Sequence, residues 1–253
     1  MSKTFKQRLR QREQLLGTWI KTPSPIISEV LARSGLDVLC LDAEHAPFDR
    51  GSLDQCLQVL SAAGMPALVR VPSAAPEHLL NALDCGATGV VVPHVTSAAM
   101  ADQAARHAHF GAGGRGYAGS TRAAGFTTKS MAAHLADSAA QTCMIAQIED
   151  VEALDAIEDI AAVELVDCLF IGRIDLTVAL GADSPSAPEV LAAVERICRA
   201  GEDAGRCVGM FVGDASEVPR WQSAGASFFL LSSDHSFLIG GAKGLVSAFR
   251  DGG

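Results

Sequence analysis

The sequence predicts an α/β fold, specifically a (β/α)8 barrel, on three observations. Eight short apolar runs resemble strands, several of them are apolar throughout like strands buried on both faces, and helix-length segments separate them. The predicted strands are Leu15–Ile20, Val38–Leu41, Ala67–Val71, Gly89–Pro93, Cys143–Ile148, Cys168–Gly172, Cys207–Val212 and Ser227–Leu231. An open, doubly wound parallel sheet is the alternative architecture.

The segments between these strands carry helix start and stop signals. Predicted helices open at Pro25 with Ser28-Glu29, after Ser52 (53–63, ended by Gly64), after Ser97 (98–109), after Asp150 (151–162) and at Pro188 (through Ala204 to Gly205). We expect one barrel domain over residues 1–253, with a short polar N-terminal arm over about residues 1–14. The glycine-rich stretch 111–117 follows a helix rather than a strand, so we expect a mobile loop over the barrel mouth instead of a dinucleotide-binding turn.

The composition excludes several classes of protein. Of the 253 residues, 49% are hydrophobic and 19% are charged, which is typical of one large globular domain. The formal net charge of -9 argues against a nucleic-acid partner, and no apolar run reaches the roughly 20 residues of a membrane span. The polar N-terminus does not resemble a secretory signal. Seven scattered cysteines without a Cys-x-x-Cys pair indicate reduced thiols, so we expect a cytoplasmic protein.

Polar side chains stand where four of the predicted strands end. They are Asp42, Glu44 and His45 after the second strand, Arg70 at the end of the third, Gln147 and Glu149 at the end of the fifth, and Asp175 after the sixth. Because the carboxyl ends of barrel strands meet on one face, which is where such barrels hold their active sites, we expect these groups to converge.

Glu149 and Asp175 are the best candidates for metal ligands. Hard divalent ions such as Mg²⁺ or Mn²⁺ are commonly held by one or two carboxylates, with substrate and water in the other positions. The alternative is a helix N-cap for Asp175 and a surface carboxylate for Glu149. Both residues together, beside Gln147, favour the metal site.

Arg70 and His45 are the candidates for acid/base and charge-stabilising roles. Arg70 ends an apolar strand, where its guanidinium would suit a carboxylate or a developing oxyanion, although a structural ion pair is the alternative. His45 lies three residues after Asp42, and a nearby carboxylate can make a histidine a better base. The other histidines are expected to be inert: His78, His94, His107, His109, His134 and His235.

The stretch from Gly172 to Leu176 is expected to turn from strand into helix, where free N–H groups could bind a substrate carboxylate. Lysine placement argues against imine chemistry, because a Schiff-base enzyme needs a lysine inside the barrel and only Lys21 lies near a strand end.

Five motifs then resemble one known family, HpcH/HpaI, whose members are class II, metal-dependent pyruvate aldolases such as 4-hydroxy-2-oxoheptanedioate aldolase and 2-dehydro-3-deoxyglucarate aldolase. The motifs are Leu-Asp-Ala-Glu-His-Ala-Pro (41–47), Val-Arg-Val-Pro (69–72), Leu-Asp-Cys-Gly-Ala (83–87), Gln-Ile-Glu (147–149) and Phe-Ile-Gly-x-x-Asp-Leu (170–176). The resemblance covers about residues 17–245. It implies a pyruvate kinase-like barrel that assembles as a trimer or hexamer, with the last helix exchanged between subunits.

The resemblance also implies a role for each site residue. Glu149 and Asp175 would hold Mg²⁺ or Mn²⁺, with Co²⁺ as a further candidate, and Arg70 would stabilise the enolate oxygen. Pyruvate would be gripped by Gln147 and the turn at Gly172, Ile174 and Asp175, and Trp19 would shape the pocket. His45 would be the acid/base, with Asp42 orienting it and Asp84 raising its basicity, the latter from a neighbouring subunit.

The implied reaction is reversible cleavage of a 4-hydroxy-2-oxo acid to pyruvate, or a related 2-oxo acid, and an aldehyde, through a metal-stabilised enolate. Arg173 departs from the family, which usually has proline there, and we expect it to add a cation beside the carboxylate pocket. Two alternatives stay open: a lyase acting on a CoA thioester, of the citrate or malyl-CoA lyase type, and a non-catalytic barrel.

Overall fold

The computed structural model describes residues 3–251, which form one closed barrel of eight parallel strands in the order β1 to β8, with β8 paired to β1. The strands are β1 Leu15–Ile20, β2 Val38–Asp42, β3 Ala67–Arg70, β4 Gly89–Val92, β5 Cys143–Ile148, β6 Cys168–Ile171, β7 Cys207–Val212 and β8 Phe228–Ser233. The (β/α)8 prediction is confirmed, and closure excludes the open sheet. The two predicted domain limits, residues 1 and 253, lie outside the described residues.

Helices alternate with the strands around the barrel. They are α1 Phe5–Arg10, α2 Pro25–Leu31, α3 Arg50–Ala62, α4 Pro76–Asp84, α5 Ala98–Ala108, α6 Met131–Gln141, α7 Val151–Asp155, α8 Ile157–Ala162, α9 Arg173–Ala179, α10 Pro188–Asp203, α11 Val218–Ser223 and α12 Asp234–Asp251, with a 3-10 turn at Ala215–Glu217.

Two predicted helices differ in detail from those observed. Helix α3 is capped by Asp49 and not by Ser52, because the two side chains form a capping box in which Ser52 occupies the third helical position. The predicted helix over residues 151–162 is two helices, α7 and α8, which are divided at Ala156.

The predicted polar N-terminal arm, over about residues 1–14, contains a helix within its described part. Within it, helix α1 buries Phe5 and Leu9, four residues apart on one face, in the core inside the barrel. The Phe5 ring contacts that of Phe228 edge to face, with centroids 6.1 Å apart. Helix α1 therefore closes the amino end of the barrel, and the opposite end remains for a site.

The glycine-rich loop lies at that amino end and not over the mouth. Its Arg115 lines a cavity together with Thr88 and Thr142, which directly precede β4 and β5. The reason is geometric: α5 runs antiparallel to its strand, so the loop after it starts at the amino ends of the strands.

The last helix, α12, stands away from the barrel. Every residue from 235 to 251 is exposed, including the apolar side chains Leu238, Leu245 and Phe249. Within residues 3–251, no helix has both the length and the apolar composition that a bilayer crossing requires.

Candidate active site

A cavity of about 250 Å³ opens at the carboxyl ends of the strands, on the face that the sequence predicts. The predicted site residues that line it are Trp19, His45, Arg70, Gln147, Gly172, Ile174 and Asp175. Asp42 and Glu149 are buried beside it, at 0% and 3% exposure, and contact lining residues directly. Asp84 does not line this cavity.

On one side of the cavity, Asp42 and Arg70 form a bidentate ion pair. They are register partners at the ends of β2 and β3, and Arg70 donates from Nε to Oδ1 at 2.9 Å and from Nη2 to Oδ2 at 2.8 Å. Lys21 Nζ donates to the same Oδ2 at 2.7 Å. Burial alone would raise the pKa of Asp42, but the bonds and charges of Arg70 and Lys21 outweigh it and lower the pKa to about 2. This carboxylate is fully neutralised by its own chain.

Trp19 and Glu44 also contact the guanidinium of Arg70. It lies over the Trp19 ring, 4.4 Å from the centroid, and its Nε is 3.2 Å from Glu44 Oε2. Two of its five N–H donors go to Asp42, which fixes the plane of the group and leaves donors for a substrate oxygen.

On the other side, Glu149 and Asp175 converge on Gly172. A β-carbon at Gly172 would lie 2.7 Å from Glu149 Oε2 and 3.5 Å from Asp175 Oδ2, so only glycine leaves this space open. Burial raises the pKa of Glu149, and Asp175 adds to the rise, while hydrogen bonds from Gln147 and the His94 backbone oppose it. No Lys or Arg within residues 3–251 forms an ion pair with either carboxylate.

Gln147 extends this acidic side. Its Nε2 donates to Glu149 Oε2, and its Oε1 is buried without a hydrogen-bond partner among residues 3–251. Two carboxylates, an orphaned amide oxygen and a space kept open by Gly172 form an all-oxygen donor set. Such a set suits a hard divalent cation, so the residues present fit the predicted metal.

His94, which is expected from the sequence to be inert, lies against Glu149. Its backbone N–H donates to Glu149 Oε1 at 2.9 Å, and its Nδ1 lies 3.0 Å from Asp150 Oδ2. Its φ of +54° is unusual for a side-chain-bearing residue. Burial alone would lower the pKa of His94, but the carboxylates of Asp150, Glu149 and Glu44 outweigh it and raise the pKa. The sequence did contain an indication, because His94 closely follows strand β4, just as the candidate site residues follow their strands.

His94, Glu149 and Asp150 offer ligand atoms that all lie within 4.8 Å of one another, which makes them a second possible metal site. The two possible sites use different oxygens of Glu149. His94 approaches Oε1, whereas Gly172 and Asp175 approach Oε2.

Comparison with known proteins identifies the family. Residues 15–240 match the family described as HpcH/HpaI aldolase/citrate lyase. The chain belongs to this family. It is 35% identical to a hydroxypyruvate/pyruvate aldolase of Paraburkholderia phytofirmans, over 97% of both chains, and 32% identical to a 5-keto-4-deoxy-D-glucarate aldolase of Shigella boydii, over 97% of this chain and 96% of the other.

The structure is similar to that of an HpcH/HpaI aldolase/citrate lyase family protein from Burkholderia cenocepacia, with a TM-score of 0.91 and 36% identity over 97% of this chain and 98% of that one. The predicted family is confirmed. The protein is therefore an aldolase, which is a carbon–carbon lyase, and its family is metal-dependent. Both named curated relatives are aldolases, so the CoA-thioester lyase is not favoured.

One predicted contact of this HpcH/HpaI chain is absent from the described structure. Asp42 does not orient the His45 ring, because Arg70 and Lys21 occupy its carboxylate; it accepts only the His45 backbone N–H, at 3.2 Å. The His45 ring instead has Nε2 3.7 Å from Glu44 Oε2, with 59% of the side chain exposed.

Asp84 lies at the end of α4, outside the cavity, where Arg115 and Arg50 are its nearest positive charges. It therefore has no access to His45 within one subunit, because the carboxyl end of α4 points to the amino end of the barrel. A role from a neighbouring subunit stays a prediction.

Arg173 lines the cavity, as the sequence predicts, but its charge is paired. Its Nη2 donates to Glu217 Oε2 at 2.5 Å, and its guanidinium lies 5.2 Å from the centroid of the Trp221 ring. The ion pair could not be predicted, because Glu217 is 44 residues away in sequence and no local pattern connects the two.

Strand β8 supplies lining residues that the sequence analysis missed. Ser232 and Ser233 line the cavity at the end of β8, together with Ser236 in α12. Their signal was weak, because the predicted strand stops at Leu231 and serines are common in turns.

Proposed function

We propose that this protein reversibly cleaves a 4-hydroxy-2-oxo acid to pyruvate, or to a related 2-oxo acid such as hydroxypyruvate, and an aldehyde. The observation that carries the proposal is a divided cavity. One wall presents a fixed guanidinium, that of Arg70. On the other side lie Asp175 and, buried beside the cavity, Glu149, and no Lys or Arg in the described part of the chain pairs with either carboxylate. Relatives named hydroxypyruvate/pyruvate aldolase and 5-keto-4-deoxy-D-glucarate aldolase support the substrate class.

Glu149 and Asp175 would hold a divalent metal ion, Mg²⁺ or Mn²⁺ with Co²⁺ as a further candidate. The side of Glu149 that faces Gly172 is favoured over the side facing His94 and Asp150, because Gly172 leaves space there beside a second carboxylate, that of Asp175. When bound, such an ion would act as a Lewis acid that polarises the 2-oxo group and orients the acid.

Arg70, Gln147 and the start of α9 would bind the 2-oxo acid. The backbone N–H groups of Ile174 and Asp175 lie in the first turn of α9, where no side chain caps the helix, and could donate to the substrate carboxylate. Arg70, fixed by Asp42 and Trp19, would donate to the 2-oxo oxygen, where negative charge develops.

His45 would move the proton. In the cleavage direction, the 4-hydroxyl group loses its proton to the imidazole, directly or through a water, and the oxygen's electron pair forms the aldehyde carbonyl. The electrons of the breaking C3–C4 bond form the enolate, whose oxygen Arg70 stabilises. A proton added to C3 then gives pyruvate. We include Asp84 of a neighbouring subunit as a candidate group beside His45.

The last helix supports assembly as a homo-oligomer, a trimer or hexamer with α12 exchanged. Its apolar side chains Leu245, Val246 and Phe249 are 74%, 46% and 85% exposed, which is costly for a free subunit. An apolar groove on the outside of β1 and β8, lined by Leu16 and Phe229, offers a surface of matching character. All seven cysteines are free and buried, which supports action in the reducing cytoplasm.

Deuterium exchange tests the proposed chemistry. The protein is incubated with pyruvate in D₂O, with Mg²⁺ or Mn²⁺ and then with excess EDTA, and the methyl signal is followed by NMR. We expect metal-dependent loss of the methyl signal, because an enolate takes up deuterium at C3. A folded sample that exchanges nothing with any divalent ion would contradict the proposal.

A borohydride arm tests the rival imine mechanism. Lys21 lines the cavity, but its Nζ donates to Asp42 Oδ2 at 2.7 Å and is held in that ion pair. We expect no reduced pyruvate adduct on the wild-type protein, and metal-dependent exchange that survives in Lys21→Met. A trapped adduct on Lys21 would refute the metal mechanism.

A further inference from the structure

A second cavity, of about 210 Å³, lies at the amino end of the barrel, and none of its lining residues lines the active-site cavity. We propose that it binds a phosphate group, free or as a phosphate monoester, with Arg115 as the principal ligand. Thr88 and Thr142, which directly precede β4 and β5, form part of its wall. Within one subunit, the site is thus separated from the proposed chemistry by the length of the barrel.

Arg115 is a buried cation without an anion. It is 7% exposed and forms no ion pair with a carboxylate in the described part of the chain. Its Nε has no hydrogen-bond partner there, and its Nη2 makes only a long bond of 3.4 Å to Ser138 Oγ. Burial lowers its pKa, and the more distant charge of Asp84 only partly opposes this. An uncompensated buried guanidinium is costly, so the cavity is completed by an anion.

His134 and two hydroxyl groups add further donors to the same wall. His134 is 2% exposed, and neither of its ring nitrogens has a partner within residues 3–251. Ser138 Oγ and Thr142 Oγ1 lie 3.2 Å apart beside them. These groups come from a loop, a helix and the start of a strand, and so approach from several directions. That arrangement suits a tetrahedral oxyanion better than a planar carboxylate.

The other charges of the cavity are already paired. Lys129 binds Asp137 at 2.7 Å, and Arg122 binds Asp54 through two bonds of 3.0 and 2.8 Å. Asp137 lies in the wall and would repel an anion, but its ion pair with Lys129 offsets that charge. Arg115 therefore carries the unbalanced charge that selects the ligand.

Isothermal titration of the metal-loaded protein tests the site. Inorganic phosphate and glycerol 3-phosphate are titrated separately, with saturating pyruvate present to block the active site. We expect saturable binding that Arg115→Gln weakens about tenfold or more, since it removes a charged hydrogen bond. The matched control Arg196→Gln, at a partly exposed position and absent from the lining of both cavities, should bind phosphate as the wild type does.

Each result of the two titrations has a distinct meaning for the site. No saturable binding, or equal binding by Arg115→Gln, would each overturn the proposal. Tighter binding of the monoester would assign the site to a phosphorylated metabolite, and equal binding would assign it to inorganic phosphate. If Arg115→Gln does not fold, His134→Gln replaces it, with a weaker loss expected. Binding is measured without turnover, so failure of the aldolase proposal leaves this test intact.

Discussion

Two regions of the barrel mouth hold buried carboxylates of opposite electrostatic character. At the ends of β2 and β3, Asp42 is neutralised by Arg70 and Lys21, and its pKa falls to about 2. At the ends of β5 and β6, Glu149 and Asp175 have no lysine or arginine beside them within the described residues, and the pKa of Glu149 is raised. The carboxylate of the first region is paired with two cationic side chains, whereas those of the second have no lysine or arginine partner among residues 3–251.

The difference shows that position at a strand end does not by itself define a role. Both regions follow the same rule of sequence, a carboxylate at or just after an apolar strand, yet one fixes an arginine and the other is suited to a metal. The neighbouring strand decides between them, through Arg70 on β3 and Gly172 after β6. Substitutions in the two regions should therefore have opposite effects on stability and activity.

Glu149→Gln should have the largest effect on activity. Loss of the metal ligand removes several kcal/mol of charge stabilisation, so pyruvate exchange should fall by about a thousandfold or more. The metal-free protein should be as stable as the wild type or more so, because a buried carboxylate with a raised pKa is removed. NMR measures the exchange, and thermal melts in EDTA measure the stability of the metal-free protein. A large loss of that stability would contradict the proposed difference between the Asp42 and Glu149 regions.

Arg70→Lys should have the next largest effect on activity. The substitution keeps the positive charge but loses the bidentate contact with Asp42, so the cation is no longer fixed towards the substrate oxygen. We expect exchange to fall by about 100-fold to 1000-fold, as when a preorganised oxyanion donor is removed. Binding of Mn²⁺, measured by titration calorimetry, should be unchanged, because the metal belongs to the other region.

Asp42→Asn should chiefly reduce stability. The change leaves Arg70 and Lys21 without their anion, which should cost about 3–5 kcal/mol in the free energy of unfolding, measured in urea at pH 7. Metal affinity should change little, in contrast to Glu149→Gln.

The pH dependence of Asp42→Asn gives a further test. The folded pKa of Asp42, about 2, lies below its unfolded value of about 3.9. Its stabilisation is therefore present above pH ~4 and is lost as the pH falls towards 2. The stability difference between wild type and Asp42→Asn should narrow over that window, and a constant difference would show that the carboxylate's charge is not responsible.

Asp150→Asn should have the smallest effect. Asp150 contacts His94 at a partly exposed position, so Mn²⁺ affinity should change less than about threefold, as expected for the loss of a partly exposed ion pair. The matched variant Asp175→Asn should weaken Mn²⁺ binding about tenfold or more. The reverse order would move the metal to the His94 side.

The sequence predicts the barrel and most of the cavity because both depend on local pattern. Apolar runs identify all eight strands, and strand ends bring His45, Arg70, Gln147 and Asp175 into one cavity. What failed were pairings between residues distant in sequence. No local pattern shows that Asp42 is occupied by Lys21, or that Arg173 is paired with Glu217.

The contact of His94 with Glu149 was not predicted, for a different reason. The rule that found the other residues applied to it, but an isolated histidine was weighed as inert, and its left-handed backbone and contact with Glu149 Oε1 exist only in the fold. Helix α1 was likewise obscured by composition, because its charged residues outnumber Phe5 and Leu9, which alone face the core.

The position of the metal ion tests directly whether Glu149 and Asp175 hold it beside Gly172. Crystals of the protein grown with Mn²⁺ and pyruvate would show the ion by its anomalous scattering. We expect one strong peak within ligand distance of Glu149 Oε2 and Asp175, with pyruvate between the ion and Arg70. A peak held by His94, Glu149 Oε1 and Asp150, with the space beside Gly172 empty, would contradict the account.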